Sequence, residues 1–208
     1  MKRNLSKKMI TVATAAAMAF SVLAAFIPDK TVFASENLLI NGDAKEGSLL
    51  GWTESNGNAA ANVWDVCENS GNHGDKGPYE GNYQFVPYWA TGSGDTTAML
   101  YQDVDAKEFF PGDVFEASAY MHTNGEGDLA RLYLQFIGPD GDFIYRDDGK
   151  SESYWADEWG SEWVKKSVSA PMPVGTDRVR VIIRAYNKDG GTLANAFFDN
   201  VTLVNLGQ

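Results

Sequence analysis

The fold is decided by the stretch Ala130-Arg131-Leu132-Tyr133-Leu134-Gln135-Phe136 and by the turn Pro139-Asp140-Gly141-Asp142 that follows it. Apolar residues occupy every second position of the stretch, and larger polar or aromatic residues occupy the positions between them. This alternation predicts a β-strand with one buried face and one outward face. Proline, aspartate and glycine in the turn predict a tight hairpin into a further strand, Phe143-Ile144-Tyr145.

Similar short runs recur between turn signals over most of the chain. They predict strands at residues 37–40, 63–67, 83–88, 98–104, 115–121, 130–136, 143–145, 163–168, 179–185 and 197–204. Beyond residue 34, no stretch of ten or more residues carries a convincing helical period of apolar positions. Many short strands at this spacing predict one all-β domain, a two-sheet antiparallel β-sandwich of the jelly-roll type, over residues 35–208.

Residues 1–34 have the composition of a secretory signal peptide. Basic residues near the start precede an apolar run of 19 residues from Met9 to Ile27, and Val32-Phe33-Ala34 fits a cleavage site. These features predict a secreted, extracellular protein that begins at Ser35. The alternative is a single membrane anchor, because the apolar run is just long enough to cross a bilayer.

The charge balance excludes two classes of partner. The chain has a formal net charge of −11, and removal of residues 1–34 leaves 12 basic against 27 acidic residues. Such a balance argues against a nucleic-acid-binding protein and against electrostatic docking on an anionic membrane. The single cysteine excludes an internal disulfide and any metal site built from several cysteines.

Four segments resemble carbohydrate-binding modules of the galactose-binding-like jelly-roll superfamily. Two lie at the ends of the domain and two lie between them: 37–47 with Gly51-Trp52, 100–104, 173–181 and 196–203. The resemblance covers most of residues 36–206. It implies a bacterial extracellular protein that binds a glycan or polysaccharide without catalysis.

The same resemblance implies a structural calcium ion between the first segment and the last strand. Asp43, Glu46 and Asp199 would supply carboxylate ligands, since calcium prefers six to eight oxygen ligands. Lys45 departs from the pattern, because it stands where glutamate is usual. The alternative is that Asp43 and Asp199 cap turns through local hydrogen bonds.

Exposed aromatic side chains are the first candidates for glycan contact. Tyr154, Trp155 and Trp159 lie close together in a predicted polar loop, and Trp89 follows another strand. Flat aromatic rings stack on the apolar faces of sugars while nearby polar groups bind the hydroxyls. Trp52 and Trp64 are instead predicted to belong to the core, and the alternative interpretation of the aromatic loop places Trp163 there as well.

Outward rows on the predicted strands are the second group of candidates. Tyr120 shares one strand face with His122, and Arg131, Tyr133 and Gln135 share another. If these strands are neighbours, they form an aromatic and polar groove, which Arg184 would extend. The alternative is a solvated sheet face with ordinary cross-strand pairs.

Two other functions stay open. One is a small secreted polysaccharide-degrading enzyme, a hydrolase or lyase, and the other is an extracellular toxin or interaction component with a protein partner. Pairs of carboxylates do not argue for the enzyme, because so acidic a chain contains suitable pairs by chance. No nucleophile or metalloprotease motif is present. Cys67 is interpreted as a buried thiol.

Overall fold

The computed structural model describes residues 36–55, 64–69, 71, 75–87, 96–124, 127–144, 153–187 and 194–208, all within a compact unit that spans Ser35–Gln208. These residues form ten β-strands and no α-helix. The strands are β1 (Thr53–Ser55), β2 (Trp64–Cys67), β3 (Gln84–Pro87), β4 (Thr96–Asp105), β5 (Val114–Thr123), β6 (Asp128–Ile137), β7 (Ser153–Glu158), β8 (Val164–Pro171), β9 (Arg178–Asn187) and β10 (Ala196–Asn205).

The ten strands build two five-stranded sheets. The first sheet has the order β1-β4-β9-β6-β7 and the second has the order β2-β3-β10-β5-β8. Every paired set of strands is antiparallel. The structure therefore confirms the prediction of an all-β sandwich of two antiparallel sheets.

The core lies between the two sheets and draws on alternate residues of their strands. Leu100, Leu132 and Ile183 of the first sheet and Phe85 and Phe198 of the second are completely buried in one cluster. Burial of one such side chain contributes about 1.5–3 kcal/mol to folding. The apolar residues that alternate along the predicted strands are thus the ones that face the core, and the residues between them face outward.

Tryptophan burial follows the prediction in two cases. Trp52 and Trp64 belong to the core, where their rings lie 5.2 Å from Phe85 and 5.8 Å from Phe198 respectively. Trp163 is instead only half-buried and is not part of the core cluster.

The segment that precedes β1 connects the two sheets. The Asn37 side chain donates to the carbonyl of Val201 and accepts from the backbone N–H of Leu203, both in β10 of the second sheet. The Gln102 side chain, in β4 of the first sheet, accepts from the backbone N–H of Ile40 at 2.7 Å and donates to its carbonyl at 3.0 Å. The side chains of Asn37 and Gln102 thus supply hydrogen bonds to backbone N–H and C=O groups where this segment meets the two sheets.

The predicted strand at 37–40 is therefore wrong. Its residues adopt turn and irregular conformations, although the Leu38 N–H donates to the Leu203 carbonyl. Side-chain amides replace the ladder hydrogen bonds that a strand would make.

Three further strand predictions differ from the structure. Residues 153–158 form β7 rather than a loop, and β1 was not predicted. Of the predicted strand 143–145, Phe143 makes only an isolated bridge to Ile137, and residue 145 lies outside the described residues. Each of these segments is short, and short strands are set by pairing with neighbours more than by local pattern.

Within the described ranges, no helix has the length and apolar character needed to cross a membrane.

Gly42→Ala tests the connection between the two sheets. A Cβ at Gly42 would lie 2.0 Å from the carbonyl oxygen of Val201, which is backbone and cannot move aside. We expect a loss of about 2–3 kcal/mol in unfolding free energy, measured by urea and thermal melts. Gly138→Ala is the matched control, since its Cβ would meet nothing closer than 3.6 Å. Equal stability of the two variants would contradict this account.

Candidate functional site

The outward face of the first sheet carries a continuous set of polar and aromatic side chains. Since successive side chains of a strand alternate between faces, the buried Leu132 and Leu134 place Arg131 and Tyr133 outward. Tyr133 lies directly across from Trp155 on β7, and Arg131 lies across from Arg184 on β9. Residues from three neighbouring strands therefore meet on one face.

These residues surround an open hollow of about 330 Å³, which we call the sheet hollow. Its lining comes from four strands and comprises Met99, Arg131, Tyr133, Gln135, Ser153, Trp155, Ile182 and Arg184. Five of the predicted binding residues are thus brought together: Arg131, Tyr133, Gln135, Trp155 and Arg184. Trp155 is 45% exposed, so its indole remains available to a ligand.

An ion pair with Asp157 positions Arg131 at the sheet hollow. Arg131 donates from Nη2 to Asp157 Oδ2 at 2.7 Å and from Nε to Asp157 Oδ1 at 2.5 Å. This bidentate pairing raises the pKa of Arg131. The guanidinium also lies 5.7 Å from the ring centre of Trp155. The pair therefore holds a cation against the indole and restricts its orientation.

The Tyr133 hydroxyl joins two of the arginines that line the sheet hollow. It accepts one hydrogen bond from Arg131 Nη1 at 3.3 Å and another from Arg184 Nη1 at 3.0 Å. A phenolic oxygen has two acceptor positions and one proton to donate. With both acceptor positions used, the hydroxyl presents its proton as a donor.

Two further polar atoms in the sheet hollow are buried without a hydrogen-bond partner, Gln135 Oε1 and Arg184 Nε. Gln135 is only 6% exposed and uses its amide nitrogen to donate to Ser153 Oγ at 2.6 Å. Buried polar atoms in folded proteins are usually paired with protein or with ordered water. A polar ligand or water is therefore the expected partner for both atoms.

The remaining predicted aromatic residues lie elsewhere. Tyr154 points to the opposite face of β7 from Trp155, and its ring packs 6.3 Å from the core residue Phe136. Trp159 lies in the turn between β7 and β8, is 46% exposed and does not line the sheet hollow. Trp89 lies outside the described residues.

The prediction of one groove formed by the strand of Tyr120 and the strand of Arg131 is wrong. β5, which carries Tyr120, belongs to the second sheet, whereas β6 belongs to the first. Tyr120 stacks on Tyr79 with ring centres 3.6 Å apart. It also lines a separate hollow of about 490 Å³ together with Asp43, Lys165 and Asn200.

The outward face of the second sheet is partly covered by a small aromatic cluster. His122 is completely buried, with its ring 4.5 Å from Phe197 and 4.3 Å from Trp163. Trp163 in turn donates from its indole nitrogen to the Gly77 carbonyl. Burial lowers the pKa of His122. His122 and Phe197 on this face are therefore buried, whereas Trp155 on the first sheet is 45% exposed.

Cys67 is half-buried. Its burial, together with the nearby carboxylates of Asp65 and Asp75, raises the pKa of its thiol to about 11. The thiol therefore stays protonated at neutral pH, which does not suit a nucleophile.

The three predicted calcium ligands do not form one cluster among the described residues. Asp199 is buried, and its two carboxylate oxygens accept from the backbone N–H groups of Glu80 and Asn200. Burial raises the pKa of Asp199 to about 6 despite these hydrogen bonds. Lys45 Nζ lies 3.5 Å from Asp43 Oδ2, so a lysine cation already faces that carboxylate.

Glu46, the third predicted ligand, is exposed. Within the described part of the chain, no three His, Cys, Asp or Glu side chains are placed to hold a metal ion. The three carboxylates alone therefore do not fit a calcium site.

Sequence reasoning missed four contributors to this face: Met99, Ser153, Asp157 and Ile182. Asp157 falls within the predicted polar loop, where nothing in the sequence marks it as the residue that positions Arg131. The signal was the pattern of Ser153, Trp155 and Asp157 at every second position, which is the period of a strand.

Comparison with known proteins identifies the architecture. No protein-family model matches the chain, and no curated protein matches it. Among solved structures, one similar protein is the enzymatically active domain of tailspike protein 4 from bacteriophage CBA120. It has 15% sequence identity and a TM-score of 0.60, and the alignment covers 81% of this chain and 21% of that one. This chain therefore spans about a fifth of that domain.

Two further similar structures are carbohydrate-binding modules. TmCBM61, solved with beta-1,4-galactotriose, has 19% identity and a TM-score of 0.54, covering 82% of this chain and 99% of that one. The CBM22-1 xylan-binding domain of Paenibacillus barcinonensis Xyn10C has 15% identity and a TM-score of 0.54, covering 84% and 97%. At such identities the likeness shows the fold alone, a jelly-roll β-sandwich shared with carbohydrate-binding modules.

Proposed function

We propose that this chain is a secreted, non-catalytic glycan-binding protein and that the sheet hollow holds the glycan. The observation that carries the proposal is the position of the half-exposed Trp155 beside the Tyr133 hydroxyl and two arginines on one open face.

The chemistry of the sheet hollow suits a sugar. A pyranose ring has apolar C–H faces that stack on an indole and hydroxyl groups that need donors and acceptors. The Tyr133 hydroxyl offers a donor and Gln135 Oε1 is an acceptor without a partner. The apolar floor is supplied by Met99 and Ile182.

The comparisons support the same function by analogy of fold. TmCBM61 was solved with a galactotriose, and the Paenibacillus domain is named for xylan binding. Because a fold hosts many functions, the argument depends on the residues of the sheet hollow.

Secretion is proposed from residues 1–34, whose basic start, apolar run and cleavage motif match a signal peptide. The processed protein recovered from the culture medium would then begin at Ser35. An unprocessed chain in the membrane fraction would favour the anchor instead.

The enzyme and the protein-interaction alternatives remain open. The tailspike neighbour is an enzyme domain, but its likeness extends to the fold only. Release of new reducing ends from a polysaccharide panel would favour the enzyme.

Trp155→Ala tests the glycan site. Removal of a central stacking side chain costs about 2 kcal/mol, which is about 30-fold in affinity. We expect this loss in calorimetric titration with a ligand identified on a glycan array.

Trp159→Ala is the matched control for this test, since Trp159 has nearly the same exposure but lies outside the sheet hollow. It should leave affinity unchanged, and both variants should melt close to the unaltered protein. Unchanged binding by Trp155→Ala, or an equal loss in both variants, would count against the site.

Structural calcium stays a prediction, and a melting experiment decides it. If calcium binds the folded chain, the melting temperature should be several degrees higher with calcium than with chelator, since a ligand at 100 times its dissociation constant stabilises by about 2.7 kcal/mol. Asp43→Asn should remove the difference. Identical melting temperatures in the two buffers would contradict calcium binding.

A further inference from the structure

We infer that the sheet hollow recognises acidic glycans, with the carboxylate of a uronic acid residue bound by Arg184 and the Tyr133 hydroxyl. This inference rests on the proposed glycan-binding function and adds the chemical class of the sugar.

The first argument is the charge balance of the face. Four arginines point outward from β6 and β9, and three of them are paired with carboxylates: Arg131 with Asp157, and Arg178 and Arg180 with Asp103. Among the described residues, no carboxylate pairs with Arg184: its cross-strand neighbours are Arg131 and Met99, and its guanidinium lies 5.3 Å from the ring centre of Tyr186. Arg131, Asp157 and Arg184 together therefore leave one uncompensated positive charge at the sheet hollow.

The second argument is the orientation of the Arg184 guanidinium. Arg131 and Arg180 both use the edge formed by Nε and Nη2 to bind a carboxylate. Arg184 uses Nη1 to donate to the Tyr133 hydroxyl, and its Nε is buried without a partner. The edge that binds aspartate in Arg131 and Arg180 thus carries no acceptor in Arg184. A carboxylate is the group that matches this edge through two parallel hydrogen bonds.

The third argument is the Tyr133 proton. The hydroxyl oxygen accepts from two guanidinium groups, which polarise the O–H bond and leave its proton to be donated. Hydrogen bonds in which one partner is ionised are shorter and stronger than neutral ones. A carboxylate oxygen is therefore a better acceptor for this proton than a sugar hydroxyl.

The position of Trp155 links these groups to a sugar ring. Trp155 on β7 lies directly across from Tyr133 on β6, and Arg184 lies on the next strand, β9. Two strand spacings amount to about 10 Å. A short oligosaccharide spans this distance, with one ring stacked on the indole and a carboxylate at the arginine.

The overall acidity of the chain, a net charge of −11, opposes the approach of a polyanion. At physiological ionic strength, however, the Debye length is about 8 Å, so distant acids are largely screened. Contacts within the sheet hollow then decide the affinity, and a partly buried pair is screened much less.

The experiment compares each acidic polymer with its own carboxyl-reduced form. Polygalacturonate, alginate and glucuronoxylan are used before and after conversion of their carboxylates to primary alcohols, which keeps the linkages unchanged. We expect at least 10-fold tighter binding to one acidic polymer than to its reduced form, which corresponds to about 1.4 kcal/mol of binding free energy.

Arg184→Gln should remove this preference, so that the variant binds an acidic polymer and its reduced form with equal affinity. Arg178→Gln is the matched control, because it changes the net charge equally but lies outside the sheet hollow, and it should keep the preference. Tyr133→Phe retains the ring and should weaken the preference in part. It also provides a second readout if Arg184→Gln does not fold, as judged by circular dichroism and melting.

The outcomes separate the two proposals. Equal binding of acidic and reduced polymers would overturn the acidic assignment while glycan binding stands. A preference that survives Arg184→Gln would also overturn it. No binding to these polymers or to a glycan array would remove the proposed function itself.

Discussion

The sandwich depends on the way in which the segment before β1 is held between its two sheets. Asn37 completes backbone hydrogen bonds of β10, and Gln102 of β4 completes those of Ile40. Gly42 lies so close to Val201 that no side chain fits. The segment therefore joins the first and second sheets through specific hydrogen bonds in addition to the non-directional packing of the core. Each sheet has one face toward the shared core and one face outward.

The two outward faces have opposite characters because their polar groups are used differently. On the second sheet, the rings of Trp163 and Phe197 pack against the buried His122. On the first sheet, Asp157 and Asp103 are paired with arginines, and Trp155 stays half-exposed. Ion pairs at a surface contribute little to stability. Their contribution here is to orient donors before a ligand arrives, which reduces the entropy cost of binding.

Much of this arrangement could be predicted from alternation within single strands. The long strands β6 and β9 were predicted, and the outward positions of Arg131, Tyr133 and Gln135 follow from them. The pairing of strands could not be predicted, because it joins residues far apart in the chain. Tyr120 was therefore expected beside Arg131, although their strands lie in different sheets. β7 was missed because tryptophans among acids resemble an exposed loop, and its role as a strand comes from pairing with β6.

The position of β7 has a consequence for dynamics. β7 is an edge strand, held by β6 alone within the first sheet, and it carries both Trp155 and Asp157. Edge elements with few neighbours open more readily than central strands, so local opening of β7 would remove the stacking platform and release Arg131 at once. A ligand that contacts both β7 and β9 would stabilise the pairing of β7 with β6, the strand that lies between them. A ligand that binds only the closed edge would therefore raise the free energy of its local opening.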